Sequence, residues 1–298
     1  MSEPLEQRVS AMLARPANPA VAEQARRLGE EAGALAVLFY GSNLRTGSLE
    51  GVLDYYVLLP GAPEKGLWPR ISYREWDEGG ATLRAKIATM TLAKFASAAA
   101  GETIDTTIWA RFVQPSALAW ARDEAARAAA AEAVAAAART AARLAAALGP
   151  DKGRAEDFWR TLFRATYRAE LRVEQRGRED SILDANREHF AGLLPLALGS
   201  AGVPYAVDGA VLAPRLDSAG RRRILRWWQR RRRVGKLYNA VRLVRAAGTF
   251  HGAARYAAWK IERHTGVAVE LTPWRERHPL LAAPGVLWRV WRARRAGR

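Results

Sequence analysis

The sequence predicts an α+β protein that continues into a mainly helical region and a basic tail. Short apolar runs bounded by glycines and polar turns, typical of strands, occupy residues 1–115, whereas Ala- and Arg-rich stretches with helical periodicity dominate the remainder. The 298 residues are 49% hydrophobic, which suffices for buried cores in two domains. We expect a mixed sheet with helices over residues 1–118, a mainly helical domain over 119–278, and an amphipathic, membrane-associating helix over 279–298.

Helical and strand patterns alternate in the first part. Residues 19–33 carry apolar positions at helical spacing and predict an amphipathic helix. The apolar run 34–40 follows and predicts a buried strand that ends at Gly41-Ser42. The later patterns predict strands at 52–59, 83–90 and 106–113, with a helical turn at 91–99.

The second part is predicted to be mostly helical. Asp208-Gly209 lies between two short β-like runs and predicts a tight hairpin over 205–212, so the region near 204–213 is compatible with a winged-helix-like domain. The remaining patterns predict helices at 119–147, 156–174, 182–194, 221–246, 252–264 and 279–298.

The positive charge is concentrated near the C-terminus. The chain has 47 basic and 30 acidic residues, a net charge of +17, yet residues 219–298 alone hold 21 basic and 3 acidic side chains. Six of the eleven tryptophans lie in the same segment: Trp227, Trp228, Trp259, Trp274, Trp288 and Trp291. This segment is therefore expected to meet an anionic partner, either an acidic membrane surface or nucleic acid.

The composition also excludes several classes of protein. Without cysteine there is no disulfide framework, no thiolate metal site and no Cys nucleophile, and four histidines leave little for a zinc site. The polar N-terminus has no apolar core of a secretory signal, and no uncharged apolar stretch reaches the roughly 18 residues of a spanning helix. We expect a peripheral protein on the cytoplasmic face of the inner membrane.

The most informative local pattern joins Gly41-Ser42 to Asp54. A strand that ends in Gly-Ser and turns into a helix can direct backbone amides at phosphates, and a carboxylate on the next strand can bind Mg²⁺. The pattern resembles that of polymerase-β-type nucleotidyltransferases, which have a second acid two residues later, where this chain has Tyr56. Only Asp54 matches, and a plain strand-turn-strand with one edge aspartate is the alternative interpretation.

Further segments extend the resemblance along the chain. They are residues 39–42, Asp54, and residues 87–92, 109–115 and 156–172. In their order and spacing, over most of residues 34–265, the sequence resembles the mitochondrial-type phosphatidate cytidylyltransferases, the translocator assembly and maintenance family. This family likewise lacks a strict second acid after its Asp. This chain departs from its Gly-Ser-Gly pattern at Asn43.

The resemblance implies a nucleotidyltransferase-like fold for residues 1–118 and a Mg²⁺-dependent reaction of CTP with phosphatidate that gives CDP-diacylglycerol and pyrophosphate. Gly41 and Ser42 would contact the triphosphate, Asp54 would bind Mg²⁺, and Lys86 and Arg111 would contact the phosphates or the base.

The same resemblance points to one helix of the second part. Its Tyr-x-x-acid-x-Arg pattern corresponds here to Tyr167, Glu170 and Arg172. Tyr167 and Arg172 are assigned to nucleotide binding, and Glu170 is the best-matched second catalytic carboxylate. Asp77 and Glu78 remain alternatives for that second acid.

Another basic cluster lies on the predicted helix 252–264. Lys260, Arg263 and His264 are spaced i, i+3 and i+4 and therefore share one helix face. They could clamp the phosphate of the phosphatidate headgroup or of the triphosphate. A solvated basic face beside a buried Trp259 is the alternative.

Two segments, 221–233 and 287–295, mix arginines with tryptophans and aliphatic residues. This composition suits a helix at an anionic membrane interface. It also suits phosphate neutralisation and base stacking on nucleic acid, and an ordinary solvated charge run would look similar. The alternative functions are accordingly a nucleotidyltransferase acting on RNA or a small acceptor, and a non-catalytic lipid- or nucleic-acid-binding relative.

Overall fold

The α+β class is confirmed by the structure, a computed structural model that describes residues 4–65, 70–169, 178–249, 253–277 and 279–296. Five strands form the main sheet and three form a small second sheet. The strands are β1 (Ala36–Tyr40), β2 (Leu53–Leu59), β3 (Arg70–Glu78), β4 (Ala81–Thr91), β5 (Ser116–Ala121), β6 (Gly153–Arg154), β7 (Tyr205–Asp208) and β8 (Val211–Pro214).

The main sheet is mixed and has the order β3-β4-β2-β1-β5. Strand β1 pairs antiparallel with both β2 and β5, β3 pairs antiparallel with β4, and β2 and β4 are parallel. The end of β1 therefore lies at the same edge of the sheet as the starts of β2 and β4. This edge is where the predicted site residues Gly41, Asp54 and Lys86 meet.

The helices of the described residues lie before and between the strands of the main sheet and again after β5. They are α1 (Leu5–Leu13), α2 (Pro19–Glu31), α3 (Ser42–Thr46), α4 (Leu92–Ala99), α5 (Thr107–Phe112), α6 (Glu124–Leu148), α7 (Ala155–Ala169), α8 (Arg178–Ala185), α9 (Arg187–Phe190), α10 (Leu193–Ser200), α11 (Ser218–Thr249), α12 (Ala253–Thr265), α13 (Pro273–Arg277) and α14 (Pro279–Ala296).

Both faces of the main sheet are covered. Val37 and Phe39 of β1 pack on the face that α2 covers, whereas Leu38 faces a larger core formed with α4, α5 and α6. Burial on both faces explains why β1 is a continuous apolar run rather than an alternating one.

Helix α6 forms the centre of the helical region. It packs against α1, α4, α5, α7, α10 and α11, and most of its buried residues are alanines. Small side chains let several helix backbones approach one axis closely, so the alanine-rich composition follows from this position.

The prediction of a strand at 106–113 is wrong, because these residues form α5. Asp105 accepts hydrogen bonds from the backbone N–H and the hydroxyl of Thr107, at 3.0 and 2.8 Å, and starts the helix. Every residue of α5 except Arg111 is buried. A helix buried on nearly all sides has no apolar periodicity, and its β-branched and aromatic residues favoured a strand.

The helix predicted at 119–147 begins later, at Glu124, where Asp123 accepts a hydrogen bond from the N–H of Ala126 at 2.7 Å. Residues 116–121 form β5 instead. The single helix predicted at 182–194 is divided into α8, α9 and α10. The interruptions fall at Asn186 and at Gly192, which has a φ of 73° that L-residues rarely adopt.

Several other predictions are confirmed. The hairpin around Asp208-Gly209 is β7–β8, and the basic helices correspond to α11, α12 and α14. Strands β3, β5 and β6 were not predicted. Among the described residues, no helix is both long enough and apolar enough to cross a lipid bilayer.

Candidate active site

The candidate site is organised by strand register at one edge of the main sheet. Tyr40 of β1 pairs with Asp54 of β2, and Asp54 pairs with Lys86 of β4. Residues paired across neighbouring strands project to the same face, and Tyr56, two residues after Asp54, projects to that face as well. The sheet thus brings together the predicted Asp54 and Lys86 with two tyrosines that had no predicted role.

Asp54 is a carboxyl group in a poorly solvated position. Burial raises the pKa of Asp54 above its ordinary value, and the nearby charges of Lys86 and Arg111 only partly oppose this effect. The Tyr40 hydroxyl donates a long hydrogen bond of 3.4 Å to Asp54 Oδ1. A poorly solvated carboxylate beside cations is a common feature of sites that bind metal ions or act on phosphates.

Arg111 reaches this cluster from α5. Its Nη1 donates a 2.7 Å hydrogen bond to the Tyr56 hydroxyl, and its guanidinium lies 5.1 Å from the centre of the Tyr40 ring and 5.9 Å from that of Tyr56. Because the rest of α5 is buried, the helix holds Arg111 firmly at the sheet. Tyr56 thus occupies the position at which polymerase-β-type nucleotidyltransferases have a second acid, and its hydroxyl accepts a hydrogen bond from Arg111.

Gly41 makes the turn from β1 into α3. Its φ of 101° and ψ of −167° lie in a region that essentially only glycine adopts. A Cβ atom at this position would lie 3.6 Å from Asp54 Oδ2. The glycine therefore leaves the carboxylate open on the side where the chain turns.

The residues after Gly41 form a short helix and then a loop that hydrogen bonds hold in place. Helix α3 has only five residues, and Ser42 at its start is exposed. The Asn43 amide donates hydrogen bonds to the carbonyl oxygens of Ser48 and Glu50, at 2.9 and 2.7 Å. Asn43, which departs from the family pattern, therefore fixes the loop that leads into β2.

A cavity of about 320 Å³ lies beside this loop. Its lining residues are Leu49, Glu50, Gly51, Thr82, Leu83, Arg84, Trp259 and Arg263. The guanidinium groups of Arg84 and Arg263 lie 5.6 and 5.2 Å from the Trp259 ring centre. Helix α12 therefore brings the predicted Arg263 to the loop before Asp54, whereas the side chains of Lys260 and His264 are outside the described part of the structure.

The remaining predicted residues are not shown to join the cluster. Tyr167 is half-buried on α7 and packs against the larger core. Glu170 and Arg172 lie outside the described residues, so the best-matched second carboxylate has no position here. Asp77 and Glu78 lie at the tip of the β3–β4 hairpin, about 13 Å along β4 from the Lys86 position.

The oxygen atoms at this site fit a Mg²⁺ ion that binds together with the phosphates of a nucleotide. Magnesium commonly uses one or two protein carboxylates together with substrate phosphates and water, and Asp54 offers one such carboxylate. Among the residues that the structure describes, no group of three His, Asp or Glu side chains is placed to hold a metal ion by itself.

Sequence reasoning missed Tyr40, Tyr56 and Arg84 as parts of this region. The tyrosines lie in apolar strands, where aromatic residues ordinarily indicate a core, and only the i, i+2 spacing of Asp54 and Tyr56 indicated a shared face.

In comparisons with known proteins, no protein-family model matches the chain, and no curated protein gives a significant match.

Proposed function

We propose that this protein is a Mg²⁺-dependent nucleotidyltransferase of the phosphatidate cytidylyltransferase type, which converts CTP and phosphatidate to CDP-diacylglycerol and pyrophosphate. The observation that carries the proposal is the convergence of Asp54, Lys86 and Arg111 beside Gly41 at one sheet edge. Asp54 and Arg111 lie in segments that carry the sequence resemblance, and Lys86 directly precedes the segment 87–92.

The reaction places few demands on proton transfer. The phosphate of phosphatidate attacks the α-phosphorus of the nucleotide already as an oxyanion, and pyrophosphate leaves, so no strong general base is needed. The protein has to position the two phosphates in line and neutralise charge on the leaving group. A bound Mg²⁺ would supply charge neutralisation between the triphosphate oxygens.

Each residue of the cluster has a role in this chemistry. Asp54 would hold Mg²⁺, and Gly41 gives a phosphate room to approach. Lys86 and Arg111 provide the positive charge, with Arg111 held at the Tyr56 hydroxyl. The Trp259–Arg263 cavity next to the loop is large enough for part of a nucleotide or headgroup and offers a ring for stacking.

The finer architecture and the location are part of the same proposal. The main sheet with its Gly-Ser turn is of nucleotidyltransferase type, and the β7–β8 hairpin followed by α11 supports a winged-helix-like arrangement. The basic helices α11 to α14 would hold the protein on the cytoplasmic face of the inner membrane, where a lipid substrate lies. Half-exposed Trp274 and Trp288 support this placement.

Pyrophosphate release tests the proposal. The purified protein is incubated with Mg²⁺, each nucleoside triphosphate in turn, and phosphatidate in mixed micelles. We expect release that requires both CTP and phosphatidate and that falls about 100-fold or more in Asp54→Asn. Asp208→Asn, at an exposed aspartate of the β7–β8 hairpin that has no candidate role in the site, is the matched control and is expected to retain activity.

The outcomes separate the alternatives. Release with CTP and RNA, but not with phosphatidate, would favour a nucleotidyltransferase acting on RNA, which the basic C-terminal segment also suits. No release with any nucleotide, at matched folding of the variants, would contradict catalysis and favour a lipid- or nucleic-acid-binding protein.

A further inference from the structure

A second and larger cavity lies in the helical region. Its volume is about 640 Å³, within the range of small-molecule sites. Helix α6, the chain before β7, the chain after β8 and the first turns of α11 enclose it. None of its lining residues belongs to the Asp54 cluster, so a ligand bound there would not depend on the proposed reaction.

The inner surface of this cavity is largely apolar. Leu144 and Val203 are buried side chains, and Ile224 and Trp227 are half-buried. The Trp227 Nε1–H already donates a 2.9 Å hydrogen bond to the carbonyl oxygen of Gly101, so Trp227 contributes apolar ring surface. An apolar chain or ring would be stabilised by burial here.

Three arginines surround this apolar surface. Within the described residues, the guanidinium groups of Arg143, Arg215 and Arg223 have no ion pair and no hydrogen bond. The one acidic residue of the lining, Asp217, accepts a 2.7 Å hydrogen bond from the N–H of Gly220. Burial and the positive charge of Arg139 lower the pKa of Arg143. The negative charge of a bound anion would stabilise the protonated guanidinium.

A buried hydroxyl also lines the cavity. Thr140 on α6 is 5% exposed, and its Oγ1 has no hydrogen-bond partner. Unpartnered buried hydroxyls are rare in folded proteins, because burial without a hydrogen bond is unfavourable. Arg143 follows Thr140 on the same helix at i+3, so the hydroxyl and the guanidinium share one face.

We propose that this cavity binds a phosphate monoester that carries an apolar chain or ring. The three guanidinium groups would hold the phosphate, the Thr140 hydroxyl would donate to one of its oxygens, and the apolar surface would cover the rest of the ligand. A dianionic phosphate matches three unpaired cations better than a single carboxylate does.

Calorimetric titration of the full-length protein with n-octyl phosphate tests this proposal. We expect saturable binding of octyl phosphate that is stronger than binding of inorganic phosphate, octanol or octanoate. Inorganic phosphate lacks the apolar chain, octanol lacks the anionic group, and octanoate carries only one negative charge. Binding of inorganic phosphate or octanoate as tight as that of octyl phosphate would overturn the assignment, as would the absence of octyl phosphate binding.

Variants locate the site. Arg143→Gln combined with Arg223→Gln should weaken octyl phosphate binding at least about tenfold, and Thr140→Val should weaken it severalfold. Arg222→Gln combined with Arg226→Gln is the matched control, because both arginines are exposed on α11, neither lines the cavity, and the same two charges are removed. Equal effects of the two double variants would indicate nonspecific attraction and overturn the proposal.

A flotation assay identifies the source of the ligand. If the cavity takes the headgroup of a membrane lipid, the cavity double variant should float less with phosphatidate vesicles than the control with Arg222→Gln and Arg226→Gln does. If it takes a soluble ester, the two proteins should float equally while only the cavity double variant loses octyl phosphate binding.

Discussion

Tyr56 shows how one side chain can replace another's role at the same position. In a strand with two acids, this residue would be a metal ligand, but here its hydroxyl accepts a hydrogen bond from Arg111. The exchange leaves Asp54 as the one described carboxylate of the cluster and adds a held cation beside it. In the proposed reaction, this fixed positive charge would supply part of the charge neutralisation that a second metal ion would otherwise provide.

Replacing Tyr56 by phenylalanine tests whether its hydroxyl contributes to activity as well as to stability. The variant keeps the ring and removes the hydrogen bond from Arg111, so we expect about a tenfold loss of pyrophosphate release and a stability loss of about 1–2 kcal/mol. Tyr55→Phe is the matched control, because the Tyr55 hydroxyl donates to the Val21 carbonyl oxygen on the opposite face of the sheet. Equal losses of activity in both variants, measured at matched folding, would contradict the role of Tyr56.

His189 makes stability depend on pH. Burial lowers its pKa to about 4, and its Nε2–H donates a 2.8 Å hydrogen bond to the Val113 carbonyl oxygen. The unfolded chain, with a His pKa near 6.5, binds a proton that the folded protein does not bind between these values. Stability should therefore fall as the pH is lowered from about 6.5 to about 4, by up to roughly 3 kcal/mol.

Urea unfolding of the wild type and of His189→Gln over this pH range checks the expectation. The variant keeps a donor for Val113 but cannot titrate, so its stability should decline less steeply towards acid pH. Parallel declines in the two proteins would show that other groups cause the pH dependence.

At the level of elements, sequence patterns predicted some features well and others poorly. Strands β1, β2 and β4 were predictable because short apolar runs between glycine-containing turns are typical of buried strands. Helix α5 was not, since burial of all but Arg111 removed its periodicity. Strand β3 is mostly polar, and only one of its nine residues is buried, which is typical of an edge strand and gives little apolar signal.

The candidate site was predictable to a similar extent. Asp54, Lys86 and Arg111 could be found from motif order, and strand register explains why the first two meet. The approach of Arg263 to the loop at Gly51 depends on how α12 packs, which no local pattern indicates. The partner role of Tyr56 likewise required the position of α5.

Helix α6 should respond very differently to the same substitution at two positions. Ala137 is fully buried among neighbouring helices, so Ala137→Leu should cost about 1–3 kcal/mol through overpacking. Ala129 is exposed on the same helix, and Ala129→Leu should change stability by no more than about 0.5 kcal/mol. Unfolding midpoints in urea measure both. A tolerated Ala137→Leu would contradict the close packing of α6.

For the whole molecule, the uneven charge determines where a partner is met. Residues 1–218 have 26 basic and 27 acidic side chains, so the whole positive excess belongs to the segment that forms α11 to α14. In the described part of that segment, Leu237, Trp274, Leu281 and Trp288 are exposed apolar residues among arginines. Charge and apolar surface together suit an anionic lipid interface, where each cation contributes about 1 kcal/mol.

Trp288→Ala should weaken binding to phosphatidate-rich vesicles severalfold. The ring is 56% exposed, and the Arg292 guanidinium lies 5.3 Å from its centre, so apolar and cationic groups can reach the surface together. Flotation at increasing salt measures the effect. Val207→Ala, an exposed apolar residue of the hairpin, is the control and should bind like the wild type. Unchanged flotation of Trp288→Ala would exclude α14 as the contact.

The residues at the candidate site come from distant parts of the chain, so they are synthesised at different times on the ribosome. The main sheet is complete once β5 has emerged, and the Asp54 cluster can then form, because domains generally fold as their segments appear. Helix α12, with Trp259 and Arg263, is made more than a hundred residues later. A nascent chain would thus carry the Asp54 cluster before Trp259 and Arg263 reach the neighbouring loop.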